Sequence, residues 1–268
     1  MNAPRKNISM LSVAAVVGTV VVMGYGAAFA GIKGSKHDLG TGGTSQISAG
    51  TNTGEICVFC HTPHGSDTSA AVPLWNKTLP STNYTRYSAL NTSTLDGAEA
   101  PVGSVSLACL SCHDGTQAMN VMINAPGTGA GTAPTGGKMT GAGSFPVLGS
   151  DLSNDHPISI QYAGGGLAST DGDATYTSTA FKDKDFNSVR KATINSVPQW
   201  WVDSNSDGLR QKTEMMLYTR TLSGVTQPFV ECASCHDPHN AATAGAKQVA
   251  FLRTDNSNSE VCLACHNK

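Results

Sequence analysis

The chain has 268 residues, of which 39% are hydrophobic, 13% charged and 6% aromatic, with 29 glycines, eight cysteines and a formal net charge of −2. That balance excludes a basic nucleic-acid-binding surface, and the mixed composition excludes collagen-like repeats and long charged disordered tails. Few aromatics beside many Gly, Ser and Thr predict a loop-rich, thinly packed chain, long enough for one large domain or two ordinary ones.

Residues 1–30 read as an export signal. Arg5 and Lys6 precede an apolar stretch over 10–23, and Ala28 and Ala30 occupy the small-residue positions before a cleavage point. The stretch is broken by Ser12, Gly18 and Thr19 and falls short of the roughly 20 residues of a spanning helix. Cleavage after Ala30 leaves residues 31–268 as an exported chain with no membrane span, at the cell exterior or outer surface, with the periplasm as the alternative.

Past that point the cysteines organise the chain. They fall in four pairs, each with two intervening residues and each followed at once by histidine: Cys57, Cys60, His61; Cys109, Cys112, His113; Cys232, Cys235, His236; and Cys262, Cys265, His266. Eight cysteines in an exported chain would ordinarily suggest four disulfides. A histidine after every pair points instead to c-type haem, whose two vinyl groups take two thioethers while the next histidine ligates the iron. A four-cysteine zinc site or a redox dithiol needs no such histidine. The expectation is four covalent haems.

Four histidines remain, one for each iron: His37, His64, His156 and His239. They are the expected distal ligands, which makes every iron six-coordinate. His64 and His239 each follow a proximal histidine by three residues, in Cys-His-Thr-Pro-His and Cys-His-Asp-Pro-His. A short proline turn cannot carry a ring round a porphyrin to its far face, so these two are expected to serve neighbouring haems. His156 sits in Asn-Asp-His-Pro, where Asp155 is a candidate hydrogen-bond partner. The rival distal ligands are Met119, Met122, Met139, Met215 and Met216; the alternative for Met119 and Met122 is a small apolar face near the second haem.

Residues 114–231 form a long cysteine-free insert. Within it 125–145 is Gly, Ala and Thr-rich and reads as irregular loop, while 158–162, 191–202 and 214–221 read as short strands. Helices are expected to be short and mostly at the haem motifs, with no single continuous sheet. The expected fold is therefore an irregular, coil-rich multihaem cytochrome c, its short helices and few short strands wrapped around four haems that act as the core. The insert also carries Asp203, Asn205, Asp207, Gly208, Leu209 and Glu214 at the spacing of a twelve-residue calcium loop, with the Leu209 carbonyl as the seventh-position ligand. Its alternative is a solvated polar turn.

With a partner available for each iron and no nucleophile or phosphate-loop motif, the chain reads as an electron-transfer protein rather than an enzyme. Several stretches carry a resemblance: Gly34-Ser-Lys-His37-Asp-Leu39, Cys57 to His64, Pro73-Leu74-Trp75-Asn76, Cys109 to Gly115, Asp155-His156-Pro157-Ile158 and Cys232 to His239. Together they resemble the filament-forming tetrahaem c-type cytochromes of metal-reducing bacteria. The resemblance implies an extracellular conducting filament of end-to-end subunits, with one distal histidine given by the neighbouring subunit and electrons passed to other cytochromes or to acceptors such as metal oxides. His64 is the expected donor, to the haem of the last motif in the next subunit. The alternative is a discrete periplasmic tetrahaem shuttle with all ligands in one chain.

Overall fold

The computed structural model describes residues 31–45, 53–127, 137–141, 146–168, 172–240 and 251–268. The expected signal segment 1–30 and most of the glycine-rich stretch over 125–145 lie outside those residues.

Six strands arise within the cysteine-free insert: β1 (Ile160–Gln161), β2 (Ala174–Tyr176), β3 (Val189–Ile194), β4 (Val197–Val202), β5 (Met215–Leu222) and β6 (Val225–Val230). All pairings are antiparallel and the order across the sheet is β1-β6-β5-β4-β3-β2. This corrects the expectation of a coil-rich wrap without a continuous sheet. The reason is local. Residues 191–202, read as one strand, are parts of two, folded back at Asn195 and Ser196, whose φ angles are +52° and +63°. Ser223 (φ +51°) and Gly224 (φ +80°) join β5 to β6 in the same way. Two consecutive left-handed residues form the hairpin turn whose twist suits flanking strands.

The central strand is covered on both sides. Trp200 and Trp201 are neighbours in β4, so their side chains leave opposite faces of the sheet, yet each is only 1% exposed. On one face Trp200, Val202, Met215, Leu217 and Val189 pack with Tyr162 and Phe181, and Cys235, Val261, Ala264 and Cys265 pack against this core. The third and fourth cysteine motifs thus dock on the sheet.

Each motif lies on a short helix or turn. Cys57–Phe59 is a 3-10 turn; α1 (Ser104–His113) contains the second motif; α2 (Cys232–Cys235) and α3 (Glu260–Leu263) carry the third and the start of the fourth. One helical turn sets the two thiols of a pair on the same side, as two bonds to one ring require. α2 follows β6 almost directly and contacts both β5 and α1. A smaller apolar cluster joins Met119 and Met139 to Leu39, Cys112 and Val147, which places Met119 as packing beside the second motif.

Candidate haem sites

In the first motif the N–H groups of Cys60 and His61 both donate to the Cys57 carbonyl, at 3.1 and 2.8 Å. Residues 73–76 run alongside: Asn76 N–H donates to the Cys60 carbonyl at 2.9 Å. The Asn76 amide donates to the Val58 and Asn124 carbonyls at 2.6 and 2.8 Å. The Pro73 carbonyl lies 2.7 Å from Nδ1 of His61. A carbonyl can only accept, so it holds the ring proton on Nδ1 and leaves Nε2 free to ligate.

The second motif repeats that device. The Pro146 carbonyl lies 2.9 Å from Nδ1 of His113, and Leu148 N–H donates to the His113 carbonyl at 2.7 Å. Burial pushes the His113 pKa down, favouring the neutral ring a metal needs. Asp114 follows, buried and bonded by the Tyr84 hydroxyl at 2.7 Å and the Thr116 N–H at 2.8 Å. Burial would raise its pKa, but these bonds together hold it below the ordinary value.

The third motif is built on Glu231, 1% exposed. Its carboxylate accepts from Ser106 Oγ (2.6 Å), Ser159 Oγ (3.1 Å) and Arg220 Nη1 (3.0 Å). Ser106 Oγ in turn accepts the Cys232 N–H at 3.0 Å, so one carboxylate locks α1 to α2. The fourth motif hangs on Asn187, whose amide donates to the Leu263 carbonyl at 2.7 Å and whose N–H donates to the Cys265 carbonyl at 2.8 Å. Phe186 lies against the His266 ring, centroids 4.4 Å apart.

The non-proximal histidines are distributed across motifs. His239 faces His61, centroids 6.0 Å apart and planes within 19°. His37 faces His113 at 6.1 Å with planes at 74°, and Phe251 stacks on His37 at 4.2 Å. Burial, then the nearby His113, lowers the His37 pKa to about 4. His156 is close enough to His266 to lower its pKa, after burial as the main cause. The Pro157 carbonyl, 3.0 Å from Nδ1 of His156, takes the role expected of Asp155. Asp237 lies beside His239, at 3.4 Å, and bonding from His239 holds its pKa down at about 2. His64 is exposed; its carbonyl is held by Thr62 Oγ1 and the Asn124 amide, at 3.0 and 2.8 Å.

These positions fit haem c. Metal–imidazole bonds of about 2 Å to one iron would put two ring centroids about 6 Å apart, a separation that both pairs share. All eight cysteines are free thiols, and thiols of successive motifs approach one another. Burial, then Cys112, raises the Cys60 pKa to about 12. Cys109 hydrogen-bonds Cys232, which raises the first and lowers the second. Burial, then Cys235, raises Cys265 to about 12.

A family profile matches part of the sequence. Residues 227–268 carry the Doubled CXXCH motif. That motif implies covalently bound haem c and marks a haem-binding electron-transfer cytochrome of the multihaem type. No curated protein matches the chain. Among the described residues no helix is long and apolar enough to cross a membrane.

The 203–214 loop connects β4 to β5. Gly208 has φ +75° and donates its N–H to Asp203 Oδ2 at 2.9 Å. Asp207 N–H donates to Asn205 Oδ1 at 3.1 Å and Leu209 N–H to Asp207 Oδ1 at 2.8 Å. Glu214 is buried and accepts the Ser204 and Gln211 N–H groups at 3.2 and 2.8 Å, and burial raises its pKa. Asp203 Oδ1 is buried without a hydrogen-bond partner. Among the described residues no group of three His, Cys, Asp or Glu side chains is gathered to hold a bare metal ion.

Sequence reasoning did not find the Pro73 and Pro146 carbonyls or Glu231. The carbonyls are backbone atoms with no residue signature. Glu231 had one: Glu-x-x-Ser across the start of α2 is a capping pair with its members exchanged, and both reciprocal bonds are present.

Proposed function

We propose that the chain carries four haem c groups, each between two histidines, and passes electrons as a subunit of an extracellular cytochrome filament. The observation that carries the electron-transfer reading is the pair of facing imidazole sets, His61 with His239 and His113 with His37, at the spacing a single iron requires. Haem supplies the one-electron chemistry. The chain would supply two thiols and a proximal ring per group, carbonyls that hold the Nδ1 proton of His61 and His113, and second histidine rings that would leave no iron position open to substrates. With that position closed the protein has no place to transform a small ligand, which supports electron transfer over enzyme activity. The thiol contacts run from motif 1 to 2 to 3 to 4, so the attached groups are expected to follow one another in chain order.

For assembly, His156 beside His266 moves the expected target of His64. By count, the proximal ring left for it is His236 of the third motif rather than His266. His64 is exposed on a turn, in a position to reach a neighbouring subunit. Intact mass and a pyridine haemochrome assay of the exported protein test the first half, with four haems expected. Negative-stain microscopy tests the second: filaments from the parent protein and dispersed particles with one altered haem from His64→Ala. Filaments from His64→Ala would remove the role of His64, and dispersed parent protein with four six-coordinate haems would leave a shuttle.

For the 203–214 loop, calcium binding is supported by its spacing and by the unpartnered Asp203 oxygen. Calorimetric titration of the haem-loaded protein is expected to give a heat of calcium binding that Asp203→Ala abolishes.

A further inference from the structure

Lys77 is 1% exposed. Its ammonium donates to two backbone carbonyls, Met119 and Val121, each at 2.9 Å. Its place in the chain ties it to the first motif, because the preceding residue, Asn76, donates its N–H to the Cys60 carbonyl. Its acceptors tie it to the second, because Met119 belongs to the small apolar cluster against which Cys112 packs. The side chain therefore spans from the first attachment site to the second.

Among the described residues no carboxylate forms an ion pair with Lys77, in contrast to the buried Glu231, which is paired with Arg220 at 3.0 Å. The two carbonyl dipoles engage two of the ammonium's three hydrogens without cancelling its charge. Asp114 directly follows His113 in the chain and is buried, so a negative charge stands at the second site. An unscreened cation in a partly dehydrated interior acts over an effective dielectric of about 20, far below that of water.

We infer that Lys77 is a potential-setting residue, a buried cation shared by the first two haem sites that raises their reduction potentials. The inference rests on the haem-binding reading above. Reduction removes one positive charge from a haem iron, so a fixed cation nearby disfavours the oxidised form. The effect is largest at site 1, because Asp114 opposes it at site 2. A unit charge at a distance on the order of 10 Å and effective dielectric of about 20 changes a reduction equilibrium by roughly tenfold, which is about 59 mV for a one-electron couple.

The test is spectroelectrochemistry of the haem-loaded protein, preceded by a haem count. Lys77→Gln removes the charge but keeps a donor for the two carbonyls; Lys77→Met keeps the length without a donor; Lys77→Arg keeps the charge. The expected result is four haems with unchanged six-coordinate spectra in all three. Two of the four potentials fall in the Gln and Met variants, one by roughly tenfold in equilibrium constant, and the parent values persist in the Arg variant. Because the charge is buried, the shift is expected to survive high salt. Parent potentials in Lys77→Gln, or an equal drop in Lys77→Arg, would overturn the inference. So would loss of haem from both neutral variants with normal loading of Lys77→Arg, since the charge would then serve folding. Fewer than four haems in the parent protein would overturn the tetrahaem reading instead.

Discussion

Glu231 joins three parts of the chain that are far apart in sequence: α1 through Ser106, the β1 edge through Ser159 and β5 through Arg220. A buried carboxylate with its ion partner contributes little net stability, but removing one member strands the other. Glu231→Ala is therefore expected to cost about 3–5 kcal/mol, measured by denaturant unfolding of the haem-loaded protein. Burial holds the Glu231 pKa above the ordinary carboxylate value, against the pull of Ser106 and Arg220. Its contribution to stability is then fully present below that ordinary value and is lost as pH rises through the raised one. Glu231→Gln keeps most hydrogen bonds and is expected to flatten this part of the stability–pH curve; an unchanged slope would show that the proton is not held there.

At the scale of elements, the two hairpins decide the sheet. Ser196 adopts φ +63°, a conformation that costs a residue with a side chain about 1–2 kcal/mol relative to glycine. Ser196→Gly completes the favoured Asn-Gly turn and is expected to stabilise the protein by about 1 kcal/mol, read by calorimetry as a rise of ~2–4 °C in melting temperature. The same turns explain what was legible beforehand. The cysteine and histidine motifs could be read because thioether attachment fixes residue type and spacing within five positions. The sheet could not, because Asn195-Ser196 and Ser223-Gly224 are weak turn signals and the apolar residues of 191–202 run on across the first of them. The shortage of aromatics also misled: Trp200, Tyr162 and Phe181 pack together in one core cluster, so a low total still builds a local core. The distal pairings were only half legible. Spacing led to the expectation that His239 leaves its own motif, but the ring it lies beside, His61, depends on contacts between segments far apart in the chain.

At the scale of the whole molecule the sheet and the haem sites form one unit, since two motifs pack on the core of the sheet and the other two connect through α1 and residues 73–77. The proposed exchange of ligands between motifs would make damage non-local. His239→Ala is expected to leave all four attachments intact while converting the haem of the first motif, not the third, to a high-spin form. Visible and electron paramagnetic resonance spectra check this: the high-spin signal should vanish when Cys57→Ser and Cys60→Ser are added. Persistence of the signal in that background would place His239 on another iron.

The approach of Cys109 to Cys232, and of Cys60 to Cys112, has a consequence for how such a chain is made. In the folded polypeptide, sulfurs belonging to different attachment sites are already neighbours. In an oxidising compartment, neighbouring thiols are a short step from a cross-link, and that cross-link would consume one sulfur from each of two sites. For the exported chain proposed above, maturation would then be a race between stapling and folding: each prosthetic group would have to be fastened while its segment is still open, and the final shape reached only after the reactive sulfurs have been spent.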